Sequence, residues 1–185
     1  MPLQFKVILF IVASAGIAWV SRASLRHFRS HGFYRFFAWE AILALFLLNV
    51  GYWFYEPFSL HQIIAWSLLV VSLVLVLHGF QLLRVVSKSA RARSDPSLMD
   101  FERTTELVSV GAFRYIRHPL YSSLLFLAWG VFFKHPTGAG LFLAGITTLF
   151  LTLTARIEEA ENITFFGPAY ESYVKQTRMF IPFLF

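Results

Sequence analysis

The sequence predicts an all-α integral membrane protein with about five transmembrane helices. Hydrophobic residues make up 57% of the 185 residues and charged residues only 14%, whereas a soluble domain usually carries about 25% charged residues. The mean hydropathy is +0.63, and 22 residues are phenylalanine. A chain of this size has no interior large enough to bury so much apolar side chain, so lipid is the expected solvent.

Composition also excludes several kinds of site. The chain has no cysteine, which excludes disulfides, thiolate metal sites and a cysteine nucleophile. Its six histidines show no spacing typical of metal ligands, so we expect no metal. The net charge of +6 would suit nucleic acid, but basic loops on the cytoplasmic side of a membrane explain it better. We therefore expect no nucleic-acid partner.

Five segments have the composition of membrane spans. A spanning helix needs about 20 mostly apolar residues, and the candidates are 3–20, 33–54, 60–83, 120–133 and 140–155. The fourth is short, but Pro119 suits the first position of a helix, where no N–H donor is needed. The sequence KHPTG at 134–138 breaks the chain. The last two spans are therefore predicted to form a helical hairpin.

Basic residues divide unevenly between the two sides of this arrangement. Of the 16 Lys and Arg residues, only Lys6 and Lys134 fall outside the connections that five spans place on one side. The positive-inside rule then predicts an external amino terminus and a cytoplasmic carboxyl terminus. We expect a single membrane domain over 1–185, with three spans in 1–83, a cytoplasmic connection at 84–118, the hairpin at 119–155 and a cytoplasmic tail at 156–185. Gly167-Pro168 restarts a helix in the tail, which is predicted to lie in the membrane interface.

The stretch RYIRHPLY, 114–121, collects polar side chains at the start of the fourth span. Arg117 and His118 precede Pro119, and Tyr121 falls in the first helical turn. A helix amino terminus has unsatisfied N–H groups and a partial positive charge, so this corner suits an anion such as a carboxylate. The alternative is that the arginines only anchor the cytoplasmic side and that Tyr121 belongs to an interfacial aromatic belt.

A second polar cluster, ARIEEAE at 155–161, stands at the end of the fifth span. Arg156 and Glu159 are three residues apart and share a helix face, whereas Glu158 points elsewhere. A hairpin brings the start of its first helix beside the end of its second, so the basic and acidic clusters are expected to meet. Together they suit a ligand that carries both a carboxylate and a cation.

Four further polar residues lie in the apolar segments. Glu40 and Asn49, inside the second span, are functional candidates by default, with pairing to a neighbouring helix as the alternative. His78 and Gln81, near the end of the third span, are placed to line the same cavity as the two clusters.

These motifs resemble the isoprenylcysteine carboxyl methyltransferase family and the wider group of membrane phospholipid methyltransferases. R-H-P-x-Y at 117–121, E-E at 158–159 and F-G-x-x-Y-x-x-Y at 166–173 occur in the order of the family, and the likeness covers roughly residues 105–183. The resemblance implies a membrane enzyme that moves the methyl group of S-adenosylmethionine to a lipophilic acceptor from the bilayer. The acceptor it suggests first is a carboxylate, as in prenylcysteine; phospholipids and small lipophilic amines or thiols are alternatives.

The same resemblance implies roles for individual residues. The cofactor-binding set is Leu107, Val108, Phe113, Arg117, His118, Pro119, Leu120, Tyr121 and Glu158. The position of Arg156 at the membrane interface and its shared helix face with Glu159, and not the resemblance, predict these two as catalytic residues, with Arg156 toward the polar head of the acceptor. Two positions depart from the family pattern. Phe113 replaces a frequent tyrosine, and Thr154 stands where the carboxyl methyltransferases tend to have an arginine that steers the acceptor carboxylate.

Two other functions compete with this interpretation. Membrane reductases of the steroid reductase type use NADPH and have a related hairpin, but they usually read H-P-N-Y followed by Gly-Glu, whereas this chain reads HPLYSSL. An inactive membrane scaffold that kept the fold is the other alternative.

Overall fold

The computed structural model describes residues 1–87 and 107–182, and within these ranges every regular element is a helix. The elements are α1 (Leu3–Val20), α2 (Arg22–Leu25), α3 (His31–Asn49), α4 (Leu60–Ser87), α5 (Pro119–Lys134), α6 (Gly138–Phe166) and α7 (Pro168–Gln176). Short 3₁₀ turns occupy Val50–Tyr52 and Gly111–Arg114. Most of the predicted 84–118 connection lies outside the described residues.

The predicted polytopic, all-α architecture is confirmed. Among the described residues, α1, α3 with its 3₁₀ extension, α4 and α6 are long and apolar enough to cross a membrane, and α5 is a shorter apolar helix. The observed α1 has the predicted bounds. The helix expected after Gly167 is also present as α7, and its Tyr170 and Tyr173 are buried against the protein.

The length of α6 differs most from the prediction. It was expected to end at residue 155, but it continues to Phe166. Residues 156–165 contain no glycine or proline, and arginine, alanine and glutamate are good helix formers. Nothing therefore interrupts the helix before Gly167, whose φ of +60° ends it. As a result, Glu158 and Glu159 lie on the same continuous helix as the span, in agreement with the helical spacing assumed for Arg156 and Glu159.

The helices pack chiefly as two antiparallel pairs, α3 with α6 and α4 with α5. In the first pair, the ring of Phe37 stacks on that of Phe150, with 5.2 Å between centroids. The predicted hairpin of α5 and α6 is present. Its two helices contact each other less than each contacts its main neighbour, α4 for α5 and α3 for α6. Helix α3 also contacts α5, so it packs against both helices of the hairpin.

Two clusters of buried apolar side chains form the core. The first, called here the Tyr121 cluster, consists of Ala38, Tyr121, Leu125, Leu151, Ala155 and Phe180. The second, the Leu45 cluster, consists of Leu45, Ala128, Val131, Phe132 and Ala144. The Tyr121 cluster lies at the end of the bundle where α5 begins, because Tyr121 is in the first turn of that helix. The segment after α7 reaches this cluster through Phe180.

Polar residues inside the spans pair with neighbouring helices. Ser14 Oγ of α1 donates to Glu40 Oε2 of α3 at 2.7 Å, and Lys6 Nζ donates to Leu48 O at 3.1 Å. Asn49 Nδ2 donates to Val131 O of α5 at 2.8 Å. For Glu40 and Asn49 the structure therefore supports the alternative of pairing with a neighbouring helix.

A buried lysine lies at the end of the bundle where α5 ends, opposite the Tyr121 cluster. Lys134, only 1% exposed, has its Nζ 3.3 Å from the ring centroid of Trp66 and donates to Gln62 Oε1 at 3.0 Å. Indole rings attract an ammonium group through their negative faces. Lys134 thus ties the end of α5 to α4 and does not face the solvent.

Candidate active site

The basic and acidic clusters meet, as the sequence predicts. Arg117 Nε donates to Glu159 Oε1 at 2.5 Å, and His118 Nε2 lies 3.2 Å from the same oxygen. The side chain of Arg117 is 9% exposed, that of His118 3% and that of Glu159 14%. Hydrogen bonds with charged partners are roughly twice as strong as neutral ones. This group therefore joins the start of α5 firmly to α6.

The partner of Glu159 is not the one suggested by helix spacing. Arg156 shares a face with Glu159 in an ideal helix, but in the structure Arg156 is exposed, and Glu159 is held by Arg117 and His118. The reason is geometric. Glu159 faces the start of α5, where a guanidinium and an imidazole are already in place.

Arg117 has further acceptors within the protein. Its Nη1 donates to Thr177 O at 2.5 Å and to Val174 O at 3.3 Å. Together with Glu159, these carbonyls engage the guanidinium on two sides. The role expected for Arg117, binding of a cofactor carboxylate, remains a prediction, and its observed contacts hold the tail against α5.

The start of α5 is less open to anions than the sequence suggests. The N–H groups of Arg117 and His118 donate to the carbonyls of Arg178 and Met179, at 2.7 and 3.2 Å. Pro119 has no N–H to offer. Two donors expected to be available are therefore satisfied by the segment that follows α7, which pairs with the approach to α5.

His118 lies between two carboxylates. Its Nε2 contacts Glu159, and its Nδ1 lies 3.9 Å from Glu158 Oε1. The second distance is too long for a hydrogen bond, and among the described residues Glu158 accepts none. Glu158 was expected to point elsewhere, but it faces the same imidazole from the other side. Its side chain is 24% exposed, so it is the more accessible of the two carboxylates.

Tyr121 contributes a second aromatic ring to the site, next to that of His118. Its ring stacks on that of His118, with 5.4 Å between centroids and 17° between planes, because the two residues are three apart at the start of a helix. Tyr121 is 6% exposed and belongs to the Tyr121 cluster. The aromatic pair therefore separates the charged groups from the apolar core.

The remaining predicted cofactor residues flank this centre. Val108 and Phe113 are buried and Leu107 is half-buried, next to the 3₁₀ turn that leads to α5. Pro119 and Leu120 open α5. Their assignment to the cofactor remains a prediction.

Contacts from other elements position that turn. Tyr173 Oη donates to Phe113 O at 2.6 Å, and burial raises the pKa of the Tyr173 phenol, so it remains a donor. His78 Nε2 accepts from the N–H of Ala112 at 3.3 Å. His78 therefore contacts the approach to the site, whereas Gln81 is exposed.

Sequence reasoning missed two basic residues of α3. His31 is fully buried; its Nδ1 lies 2.6 Å from Glu161 Oε2, and its N–H donates to Glu161 Oε1 at 3.2 Å. Arg35, one turn later, is only 3% exposed, unlike the arginines that precede it in the chain. Their spacing of four, in line with the buried Ala38, was a signal that both lie on the buried face of α3.

Thr154 is fully buried, and its Oγ1 donates to Phe150 O in its own helix at 2.7 Å. The position that carries a steering arginine in the carboxyl methyltransferases is thus neutral and packed here. Residue 154 itself therefore offers no charge to an acceptor carboxylate.

An R-H-P corner meets a glutamate pair at one end of an apolar hairpin, which is the arrangement expected from the resemblance to the membrane methyltransferases. The chain belongs to the family described as "Phospholipid methyltransferase", which matches residues 60–168. The resemblance to this group of membrane enzymes is thereby confirmed, and the chain is an integral membrane protein. No solved structure is significantly similar to it.

Several curated relatives carry the name methanethiol S-methyltransferase. The protein from Crocosphaera subtropica is 33% identical over 72 residues, which cover 39% of this chain and 28% of that protein. The protein from Pseudomonas deceptionensis is 25% identical over 154 residues, covering 75% and 56%, respectively. The chain thus spans little more than half the length of the second relative and less of the first.

Proposed function

We propose that this protein transfers the methyl group of S-adenosylmethionine to a small thiol at the membrane. The observation that carries the proposal is the placement of His118 between Glu158 and Glu159. The names of the curated relatives support the choice of a thiol. The motif assignments support the cofactor.

The residues present fit S-adenosylmethionine, which is a cationic amino acid derivative. Glu158 is a partly buried carboxylate with no hydrogen bond among the described residues, so it suits the amino group of the cofactor. The stacked rings of His118 and Tyr121 suit a sulfonium, which aromatic faces attract. When bound, the cofactor supplies an electrophilic methyl group that is open to in-line displacement.

The protein must also deprotonate its acceptor. A thiol is mostly protonated at neutral pH, since a cysteine side chain has a pKa of about 8.5. His118 is placed to take the S–H proton at Nδ1, because Nε2 is turned to Glu159. Glu159 then stabilises the imidazolium and keeps the ring in orientation, as a carboxylate does behind other catalytic histidines. In this proposal His118 is the catalytic base. Glu159 positions His118, and Arg117 positions Glu159.

A thiol fits this site better than a carboxylate acceptor. A carboxylate is already ionised and needs a cation to steer it, and Thr154 supplies none. Arg156 is exposed at the same end of α6 and is the residue we would assign to an anionic acceptor. Under the thiol proposal Arg156 contributes little.

The test is a direct assay of acceptors. Purified protein in lipid nanodiscs is incubated with isotope-labelled S-adenosylmethionine and, in parallel, with methanethiol, a prenylcysteine or phosphatidylethanolamine. We expect a labelled methyl thioether by mass spectrometry, and none from His118→Ala. Labelled prenylcysteine ester without thioether would overturn the thiol proposal. Calorimetry with S-adenosylhomocysteine and with NADPH separates a methyltransferase from a reductase, and binding of neither favours a scaffold.

A further inference from the structure

We infer that Phe180 limits the size of the acceptor, so that the site admits a short thiol and excludes a long-chain one. This inference rests on the proposed function, because it concerns the acceptor of the same site. Phe180 lies beyond the segment that the family matches, residues 60–168, so the family match assigns it no role.

The backbone around Phe180 is fixed next to the catalytic histidine. Ser122 Oγ donates to Phe180 O at 2.8 Å, and the N–H of His118 donates to Met179 O at 3.2 Å. The centroids of the Phe180 and His118 rings are 6.3 Å apart. Both hydrogen bonds come from α5 or its approach, so the backbone that carries Phe180 cannot move far without breaking them.

The Phe180 ring fills the apolar space beside the site. Its exposure is 0%, as are those of Ala38, Leu151 and Ala155, which belong to the same Tyr121 cluster. The cluster is therefore closed by α3 and α6 as well as by α5. Protein interiors are close-packed. A long hydrocarbon chain thus has no room on this side of His118 while the ring is in place.

Removal of the Phe180 ring would leave a cavity that opens into the site beside His118. The neighbours contributed by α3 and α6 include two alanines, Ala38 and Ala155, which are too short to fill the space left by a phenyl ring. Cavities of this kind collapse only partly after large-to-small substitutions. The new space would begin beside His118 and Tyr121, where an alkyl chain attached to the reacting sulfur would extend.

The experiment compares a short and a long thiol. Phe180→Ala and the milder Phe180→Leu are assayed in nanodiscs with methanethiol and octanethiol at saturating S-adenosylmethionine. The ratio of kcat/KM for octanethiol to that for methanethiol should rise about tenfold or more in Phe180→Ala, since even one methylene in an apolar pocket changes specificity by about tenfold. Phe180→Leu should give a smaller rise. Binding of octyl methyl sulfide, measured by calorimetry without turnover, should tighten in the same order.

Phe132→Ala is the matched control, because Phe132 is a buried phenylalanine of the Leu45 cluster. It should leave the ratio unchanged. The inference is overturned if Phe180→Ala behaves like Phe132→Ala while it still binds S-adenosylhomocysteine. If Phe180→Ala does not fold, Phe180→Leu decides. If the wild-type protein methylates no thiol, the proposed function fails, and the binding of octyl methyl sulfide still decides the role of Phe180.

Discussion

Glu159 Oε1 lies 2.5 Å from Arg117 Nε, and the same oxygen is 3.2 Å from His118 Nε2. The anion that the basic corner attracts is therefore a side chain of the protein itself. Glu159 balances the charge of Arg117 and contacts His118, whereas Glu158 accepts no hydrogen bond among the described residues. Under the proposed function Glu158 binds the cofactor and Glu159 supports His118, and substitutions can distinguish these two roles.

Glu158→Gln is expected to weaken cofactor binding, whereas Glu159→Gln is expected to lower the stability of the protein. Glu158→Gln should weaken S-adenosylhomocysteine binding about tenfold or more, because a charge-assisted hydrogen bond is worth about 1.5–3 kcal/mol. It should barely change thermal stability. Glu159→Gln leaves a buried guanidinium without its counter-charge, so we expect a loss of about 1–3 kcal/mol of stability. Calorimetry and thermal unfolding check both, and equal effects of the two variants would contradict the division of tasks.

His118→Phe keeps a ring next to Tyr121 but removes the base. Methylation of the thiol should fall by about 10²–10⁴-fold at neutral pH, the usual contribution of general acid–base catalysis. The deficit should shrink as pH rises, because the thiol then ionises without help. A pH series of initial rates checks this. A deficit that does not change with pH would mean that His118 acts only through cofactor binding.

Arg156→Ala tests the class of acceptor. For a small thiol, turnover should stay within about threefold of the wild type, since Arg156 is exposed and a neutral acceptor offers it no charge. For a carboxylate or phosphate acceptor, turnover should fall strongly with S-adenosylhomocysteine affinity unchanged. Arg178→Ala, an exposed arginine on the tail, is the control for a general loss of positive charge.

Tyr121→Phe probes the edge of the site. The phenol is buried beside His118, and its removal should weaken S-adenosylhomocysteine binding while the stacking on His118 is kept. Calorimetry measures the affinity, and thermal unfolding separates this effect from lost stability. Unchanged affinity in Tyr121→Phe would remove Tyr121 from the predicted cofactor set.

The uneven distribution of cations predicts the orientation in the membrane. Reporter proteins fused after Phe185 and inserted in the 134–138 turn should report opposite sides, cytoplasmic and external, respectively. The prediction follows from the 16 basic residues, of which only Lys6 and Lys134 fall on the external side. The same side for both reporters would contradict the five-span topology.

Most of the fold follows from the sequence because apolar length and helix breakers are local signals. Leu3–Val20 and the restart at Pro168 are of this kind. The meeting of Arg117 with Glu159 also follows, because a hairpin brings those two ends together. The partner of Glu161 does not. His31 reaches it from a helix 130 residues earlier, and only the packing of α3 along α6 reveals that contact.

The pairing of the tail with the approach to α5 could not be predicted from the sequence either. The hydrogen bond from the N–H of His118 to Met179 O joins backbone atoms, so it does not depend on the identity of either side chain. For the same reason the sequence alone predicts an open anion site at the start of α5.

The two contacts between α1 and α3 have a consequence for the membrane itself. Lys6 and Ser14 are eight residues apart, and so are their partners Leu48 and Glu40 on the antiparallel helix. Sliding α1 by one turn, about 5.4 Å, would break both hydrogen bonds at once, and hydrocarbon offers no replacement partners. The depth of α1 is therefore set by α3 and not by its own hydrophobic length. In a thinner or thicker bilayer, the lipid must adjust around this helix, because the helix is not free to shift.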